Sequence, residues 1–309
     1  MSLRSCVLGV MVLASLEVQA AAAEGEAAAV ESSTVTARTA TAPPPKPANL
    51  YSLLTPDALK KEIAQRNREP GDLAARLERT SRGLVGAPYV LSPLGEGEGE
   101  DPDPRLRFDA FDCTTLVETA LALARCDDPS ELLGLMDRIR YRGEPSFAHR
   151  RHLVEAEWMP ELIGAGFLHD ITRKLGGAQA KKTTLNLSKE NWRARRIAKT
   201  LVLPESELPF GKYELDYVPF TEVAKLKVPP GTVINVVRVA VNWSPTLITH
   251  QGLVLRSPVD GSLIVRHASP LARRVIDERL DHFLERYIHP KVDKGWPAVG
   301  LNFLAVSAE

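Results

Sequence analysis

Cysteine is nearly absent: Cys6, Cys113 and Cys126 are the only three in 309 residues. That is too few for a disulfide-built scaffold, and none pairs with another Cys or a His at zinc-ligand spacing. Net charge is absent too, with 39 Lys and Arg against 39 Asp and Glu. The balance excludes a strongly basic domain that holds nucleic acid through its phosphates, and equally an acidic disordered chain. No internal repeat is present, and no apolar run after the first residues is long enough to cross a bilayer. At 44% hydrophobic residues, what remains reads as a soluble globular protein with room for one large domain or two small ones.

Residues 1–20 stand apart from that fold. Arg4 precedes the apolar run Cys6-Val7-Leu8-Gly9-Val10-Met11-Val12-Leu13-Ala14, and Val18-Gln19-Ala20 supplies small residues at a signal-peptidase spacing. This reads as a cleavable signal peptide, and Cys6 lies too early in it for lipid attachment. Residues 21–49 are rich in Ala, Thr, Glu and Pro and end in Pro43-Pro44-Pro45-Lys46-Pro47, a tether that cannot bury enough apolar surface to order itself. The folded domain is expected over 50–309, in a periplasmic or secreted protein without an integral membrane segment in the mature chain.

Within that domain the first half reads as helical. Thr55-Pro56 is an N-cap with proline at the first helical position, and Gly71-Asp72-Leu73 opens a second helix. Helices are expected from Cys113 to about Arg125, from Ser130 to Arg140 and over 153–165, with an exposed acidic loop at 95–104. The second half is β-branched: strands are expected at 232–241, 246–255, 263–268, 274–276 and 299–306, with a helix at 278–287. Helices first and strands after imply an α+β fold with an antiparallel sheet.

Phe111-Asp112-Cys113-Thr114-Thr115-Leu116 is the most informative stretch. Asp112 and the threonines are helix-starting residues, so Cys113 falls at a helix N-terminus. Orphan N–H groups there favour a thiolate, and could also hold the oxyanion formed when it attacks a carbonyl. Asp112 and Thr114 are therefore candidates around the reacting group. The alternative is a small buried hydrophobe, a common fate for free cysteine. A Cys113–Cys126 disulfide is excluded if one helix joins them, because their ends would lie ~20 Å apart where ~7 Å is the limit.

A cysteine nucleophile needs an imidazole base oriented by a third polar group. His250 and His267 lie on consecutive predicted strands. If Pro258–Gly261 is a four-residue loop, Ser257 faces Ser262, His267 faces Gly252, and the two histidines are diagonal neighbours on one face. A two-residue turn at Asp260-Gly261 keeps them on one face but further apart; an odd-length loop separates them. Both could instead be satisfied structural histidines. The stretch containing Arg140, Arg142, Arg151 and His152 could line a polar cleft that holds sugar or carboxylate groups, or be a solvated helix face.

Together Gly86-Ala87-Pro88-Tyr89, Phe111-Asp112-Cys113-Thr114-Thr115, Arg140-Tyr141-Arg142, Arg150-Arg151-His152, His250-Gln251-Gly252 and Arg266-His267-Ala268-Ser269 resemble the N-acetylmuramoyl-L-alanine amidase-like branch of the NlpC-type papain-like cell-wall cysteine hydrolases. The resemblance implies a papain-like helix-plus-sheet fold over most of 50–309. It implies that Cys113 attacks, that His250 is the base and His267 its orienter, and that Tyr89 lies beside Cys113 to help hold the oxyanion or substrate. The implied reaction is hydrolysis of the N-acetylmuramoyl–L-alanine amide of peptidoglycan or muropeptides through a thioester, without metal or other cofactor. Cleavage of the D-glutamyl–diaminopimelate bond and a non-catalytic wall-binding module are the alternatives. The chain departs from the branch at Leu116, where a larger residue such as Phe is usual, and at Gln251, where Val or Ile is usual. The acidic loop at 95–104 and the basic stretch Lys181 to Lys199 are also longer than is typical. These departures bear on substrate preference.

Overall fold

Strong caps set the helical half. The computed structural model describes residues 49–194, 201, 203–289 and 295–307. The expected signal peptide, almost all of the expected tether and part of the basic stretch lie outside the described residues. Helix α1 (Pro56–Arg68) starts on Thr55, whose side chain accepts from Ala58 N–H, and α2 (Leu73–Arg82) starts on Asp72, which accepts from Ala75 N–H. Helix α3 (Cys113–Arg125) is buried at almost every position from Cys113 to Ala124, which makes it the centre of the layer. Helix α4 (Leu132–Arg140) follows a 3-10 turn, and a π-turn at Val154–Trp158 leads into α5 (Met159–Gly164). Helix α6 (Leu280–Ile288) lies near the C-terminus.

Eight strands among the described residues form one antiparallel sheet. They are β1 (Leu168–Asp170), β2 (Lys181–Leu187), β3 (Gly211–Pro219), β4 (Thr232–Arg238), β5 (Ile248–Arg256), β6 (Leu263–Ser269), β7 (Arg274–Arg279) and β8 (Ala298–Val306). Their order is β2-β3-β8-β4-β5-β6-β7, with β1 also pairing with β8. The α+β architecture is the one expected; β1, β2 and β3 were not anticipated.

Strand alternation divides the core between the two faces. Val233, Leu253 and Leu304 join the large cluster with α3, whereas Ile234, Val236, Val254, Val265 and Phe303 pack with Phe283 of α6. A bulge between Val236 and Val237 sets Val236 opposite His250 and Val237 opposite Ile248. Such an extra residue re-aims the side chains that follow it.

The acidic loop departs from expectation. Its tip is exposed, but Asp101 is buried, and Asp101 and Glu96 both accept from the buried Arg150 guanidinium at 2.6–2.9 Å. No helix among the described residues is long and apolar enough to cross a membrane.

Candidate active site

Cys113 is the first residue of α3, and several bonds fix the turn that presents it. Asp112 accepts Thr115 N–H at 2.8 Å on one carboxylate oxygen and Ser92 N–H at 2.9 Å on the other. Asp112 N–H in turn donates to Thr115 Oγ1 at 3.0 Å, completing a capping box. Ser92 adopts φ 48°, unusual for a residue with a side chain, in making its bond. Asp112, a sequence candidate for the substrate side, is thus the buried cap of the helix.

Cys113 is 3% exposed, and neither cysteine among the described residues is in a disulfide. Burial, then the charge of Asp112, pushes the Cys113 thiol up to about 12 against hydrogen bonds from the Gln251 backbone, the Thr114 side chain and its own backbone. The expected thiolate is therefore a neutral thiol in this structure. Desolvation outweighs the helix start, whose dipole contributes only ~0.3–2 kcal/mol.

Strand β5, which carries His250, reaches that sulfur through the neighbouring residue Gln251. Gly231 N–H donates to Val254 O, so even-numbered backbone groups in this part of β5 face β4, and those of Gln251 and Leu253 face β6. Leu253 pairs with Arg266 of β6, while the Gln251 backbone bonds the Cys113 sulfur and its side chain accepts from Thr114 Oγ1 at 2.7 Å. Both contacts are made by the residue that follows His250.

The hairpin loop has four residues. Ser257 N–H donates to Ser262 O at 2.8 Å, and the ladder continues to Leu253 opposite Arg266, the register that sets Gly252 against His267. A Cβ at Gly252 would lie 2.9 Å from Val265 Cγ1 and 3.2 Å from His267 Cβ. Glycine there thus makes room for β6 side chains. His250 Nε2 lies 2.8 Å from His267 Nδ1, with the rings at 88° and both against Phe283 of α6.

Beyond His267 lies Glu278 of β7, with Oε2 3.3 Å from His267 Nε2 and 2.6 Å from Arg286 Nη2. Desolvation works to raise the Glu278 carboxyl, yet the bonds to His267 and Arg286 hold it below its usual value. A carboxylate only accepts, so His267 carries its proton on Nε2 and presents a bare Nδ1. His250 must then donate from Nε2, leaving its Nδ1 as the free base; this assignment follows from the network. Burial first, then His267, Arg286 and Arg238, holds His250 well below the usual histidine value. Burial likewise lowers His267, with Glu278 opposing.

Tyr89 is fastened from two sides. Gly86 N–H donates to Val275 O, Val275 N–H to Ala87 O and Tyr89 N–H to Arg273 O, which lays 86–89 along β7. On the other side Tyr89 bridges to Phe111, two residues before Cys113, through Phe111 N–H to Pro88 O and Val90 N–H to Phe111 O. Tyr287 of α6 stacks on Phe220 at 4.8 Å and lies within electrostatic reach of Cys113.

The other basic candidates belong to the helical layer. Arg140 is 5% exposed and donates to Glu118 and to Leu94 O at 2.7 Å each, tying α4 to α3. Arg142 faces Glu157 at 3.2 Å and Glu207 at 3.4 Å, and Arg151 donates to Glu161 at 2.7 Å. His152 Nε2 lies 2.7 Å from Phe147 O, and desolvation together with Arg150 lowers it to about 3. Each of these side chains is engaged with the protein itself.

A family model described as AmiA-like, N-acetylmuramoyl-L-alanine amidase-like, matches residues 79–289. The chain belongs to this amidase-like family. No curated protein matches it. Among solved structures, a Legionella pneumophila str. Philadelphia 1 protein is 24% identical over 82% of this chain and 94% of its own, with a TM-score of 0.68. A Bacteroides uniformis ATCC 8492 N-acetylmuramoyl-L-alanine amidase is 22% identical over 77% and 100%, with a TM-score of 0.56. At such identities the likeness shows a shared fold.

The span matched to the amidase-like family contains Tyr89, Cys113, His250 and His267 together with Glu278 and Arg286, which sequence reasoning missed. A signal for Glu278 was available. The β6–β7 register sets Ser269 opposite Arg274 and Val265 opposite Glu278, which puts Glu278 diagonal to His267 by the same logic that paired the histidines.

Proposed function

We propose that this amidase-like protein is a cysteine hydrolase of the NlpC-type papain-like class that cuts the N-acetylmuramoyl–L-alanine amide of peptidoglycan or its fragments. One observation carries the reading: a buried cysteine at a helix start is contacted by the strand that delivers a directed His250–His267–Glu278 relay. Family membership supports the bond class. The signal-like residues 1–20 support export to the compartment where the wall polymer lies, periplasmic or outside the cell.

In this reading the Cys113 thiol passes its proton to His250 Nδ1 as sulfur adds to the lactyl carbonyl. The developing oxyanion meets N–H groups at the start of α3, including that of Thr114, and the Tyr89 hydroxyl. The imidazolium then protonates the L-alanine nitrogen, the C–N bond breaks, and a muramoyl thioester remains on Cys113. Water, losing a proton to His250, releases the lactyl carboxylate and restores the thiol. Arg140, Arg142, Arg151 and His152 support the helical wall in this scheme rather than the sugar.

The test is a digest of defined muropeptides by the wild type and Cys113→Ala, followed by mass analysis. We expect free stem peptides beginning with L-alanine from the wild type and none from the variant. Full activity in Cys113→Ala would overturn the mechanism. Products cut between D-glutamate and diaminopimelate would move the bond, and an inert wild type would leave a wall-binding module.

A further inference from the structure

The arginines that the sequence offered for substrate carboxylates, Arg140, Arg142 and Arg151, are engaged with the protein's own acids. Two others are not. Arg273 and Arg274, at the turn from β6 into β7, are exposed, and neither side chain meets an acidic group among the described residues. The charged residues further along β7 are all paired: Asp277 with Arg266 at 2.7 Å, Glu278 with Arg286 at 2.6 Å and Arg279 with Asp281 at 2.8 Å. Two adjacent like charges left without a partner repel each other and stabilise nothing in the fold. Arg273 also has φ 54°, in the left-handed region where glycine or asparagine sits more easily. Its carbonyl accepts Tyr89 N–H at 2.9 Å, a bond that the backbone of any residue could make. The fold therefore gives no reason for arginine at either position.

Strand register places the pair beside the relay. His267 is opposite Ile276, so its diagonal neighbours on β7 are Glu278 on one side and Arg274 on the other. Val275 joins the core cluster on the α3 face, which leaves Arg274 on the face that carries Glu278 and the two histidines. Laterally, Pro88 bridges to Arg274 and Tyr89 bridges to Phe111, two residues before Cys113. Two strand spacings, about 10 Å, therefore separate the Phe111 segment from Arg274. Exposed apolar side chains flank the same place: Val90 follows Tyr89, and Leu271 lies in the turn ahead of Arg273.

We propose that Arg273 and Arg274 are specificity residues that bind a carboxylate of the peptide stem, the α-carboxylate of its D-glutamyl residue. The proposal rests on the reading of this protein as a muramoyl-L-alanine amidase. In such a substrate D-glutamate is the second residue beyond the lactyl carbonyl, and the stem runs on through its side-chain carboxyl, so the α-carboxylate is free. It lies about 7 Å from the carbonyl that Cys113 attacks, at ~3.6 Å per residue, inside the span from Phe111 to Arg274. A guanidinium fork matches a carboxylate with two parallel hydrogen bonds, which an ammonium cannot do. Arg274, on the face of the relay, makes that contact, and Arg273 adds the second charge. Val90 and Leu271 meet the aliphatic part of the stem.

The experiment is titration calorimetry on the full chain carrying Cys113→Ala, which leaves the ligand uncut. The probes are N-acetylmuramoyl-L-alanyl-γ-D-glutamyl-diaminopimelate with the glutamyl α-carboxyl free, and the same compound with that carboxyl as its carboxamide. Adding Arg273→Asn and Arg274→Gln together should raise Kd for the free acid about tenfold and leave Kd for the carboxamide within about twofold. Arg274→Lys, which keeps the charge without the fork, should fall between. Arg68→Gln, which removes an exposed charge at the end of α1, should change neither value. Equal losses for the two probes, no loss for either, or no binding by the parent would each overturn the proposal. So would a double variant that keeps its muropeptide Kd but no longer sediments with phosphatidylglycerol vesicles, an outcome that assigns the pair to a lipid surface. Turnover of both probes by the unmodified protein separates this proposal from the hydrolase reading. Cleavage with equal kcat/KM and equal Kd for the two probes defeats the carboxylate site alone, whereas discrimination in Kd without cleavage defeats the hydrolase reading alone.

Discussion

Glu278 orients His250 without touching it. Its carboxylate, 3.3 Å from His267 Nε2, fixes which His267 nitrogen is bare, and that nitrogen lies 2.8 Å from His250 Nε2. Arg286 holds the carboxylate in place at 2.6 Å. Glu278 is therefore a positioning residue, whose loss leaves His250 present but free to take the wrong tautomer. Glu278→Ala should lower kcat on muropeptides by roughly 10–100-fold, about 1.4–2.7 kcal/mol of transition-state stabilisation, with KM nearly unchanged. Glu278→Gln, which can still present an oxygen to His267, should recover a substantial part. Equal kcat for Glu278→Ala and wild type would remove this residue from the relay.

Acid and base dependence follow from two opposite displacements. His250 is lowered well below the ordinary histidine value, so it stays an unprotonated base down to pH values where a free imidazole is already charged. Cys113 is raised to about 12, so the sulfur remains a thiol throughout the neutral range. The acid limb of kcat/KM should fall below pH 6.5, and unassisted alkylation of Cys113 should still be climbing beyond pH 9. An alkylation plateau reached between pH 6 and 7 would mean that an ion pair exists at rest, contrary to this prediction.

Much of this arrangement is legible in the sequence because it depends on local rules. The start of α3 is written in Asp112 and Thr115, and the histidine pair follows from the parity of a four-residue loop at Pro258–Gly261. Strand β3 carried a readable signal, since Lys212, Glu214 and Asp216 alternate with Tyr213, Leu215 and Tyr217, whereas β2 escaped because Lys181-Lys182-Thr183-Thr184 has no apolar alternation. The thiol's neutrality also escaped, since burial is set by how helices close over the sheet and not by neighbours in the chain. Arg140 read as a ligand for substrate for a related reason: no local pattern reveals that Glu118, more than 20 residues earlier, is its buried partner.

Glu155 makes the last prediction. It lies in the π-turn before α5, and its carboxylate accepts Leu247 N–H at 2.7 Å and faces Thr246 Oγ1 at 2.9 Å, on the segment that enters β5 just ahead of His250. Burial raises the carboxyl from its ordinary value of 4.5 to about 7, although those hydrogen bonds oppose the shift. The folded state thus holds this proton more tightly than the unfolded chain does. Its contribution to stability is complete below pH 4.5 and is lost as pH rises toward 7 and beyond. Glu155→Gln keeps an acceptor for Leu247, and its new N–H can donate to Thr246 Oγ1, whose hydrogen goes to Ile248 O at 3.0 Å. Melting curves of both proteins at pH 5 and pH 8 should show the variant gaining on the wild type as pH rises, by about 2–4 °C for each kcal/mol. A Tm difference that does not change between the two pH values would mean that Glu155 titrates in the folded protein as it does in water.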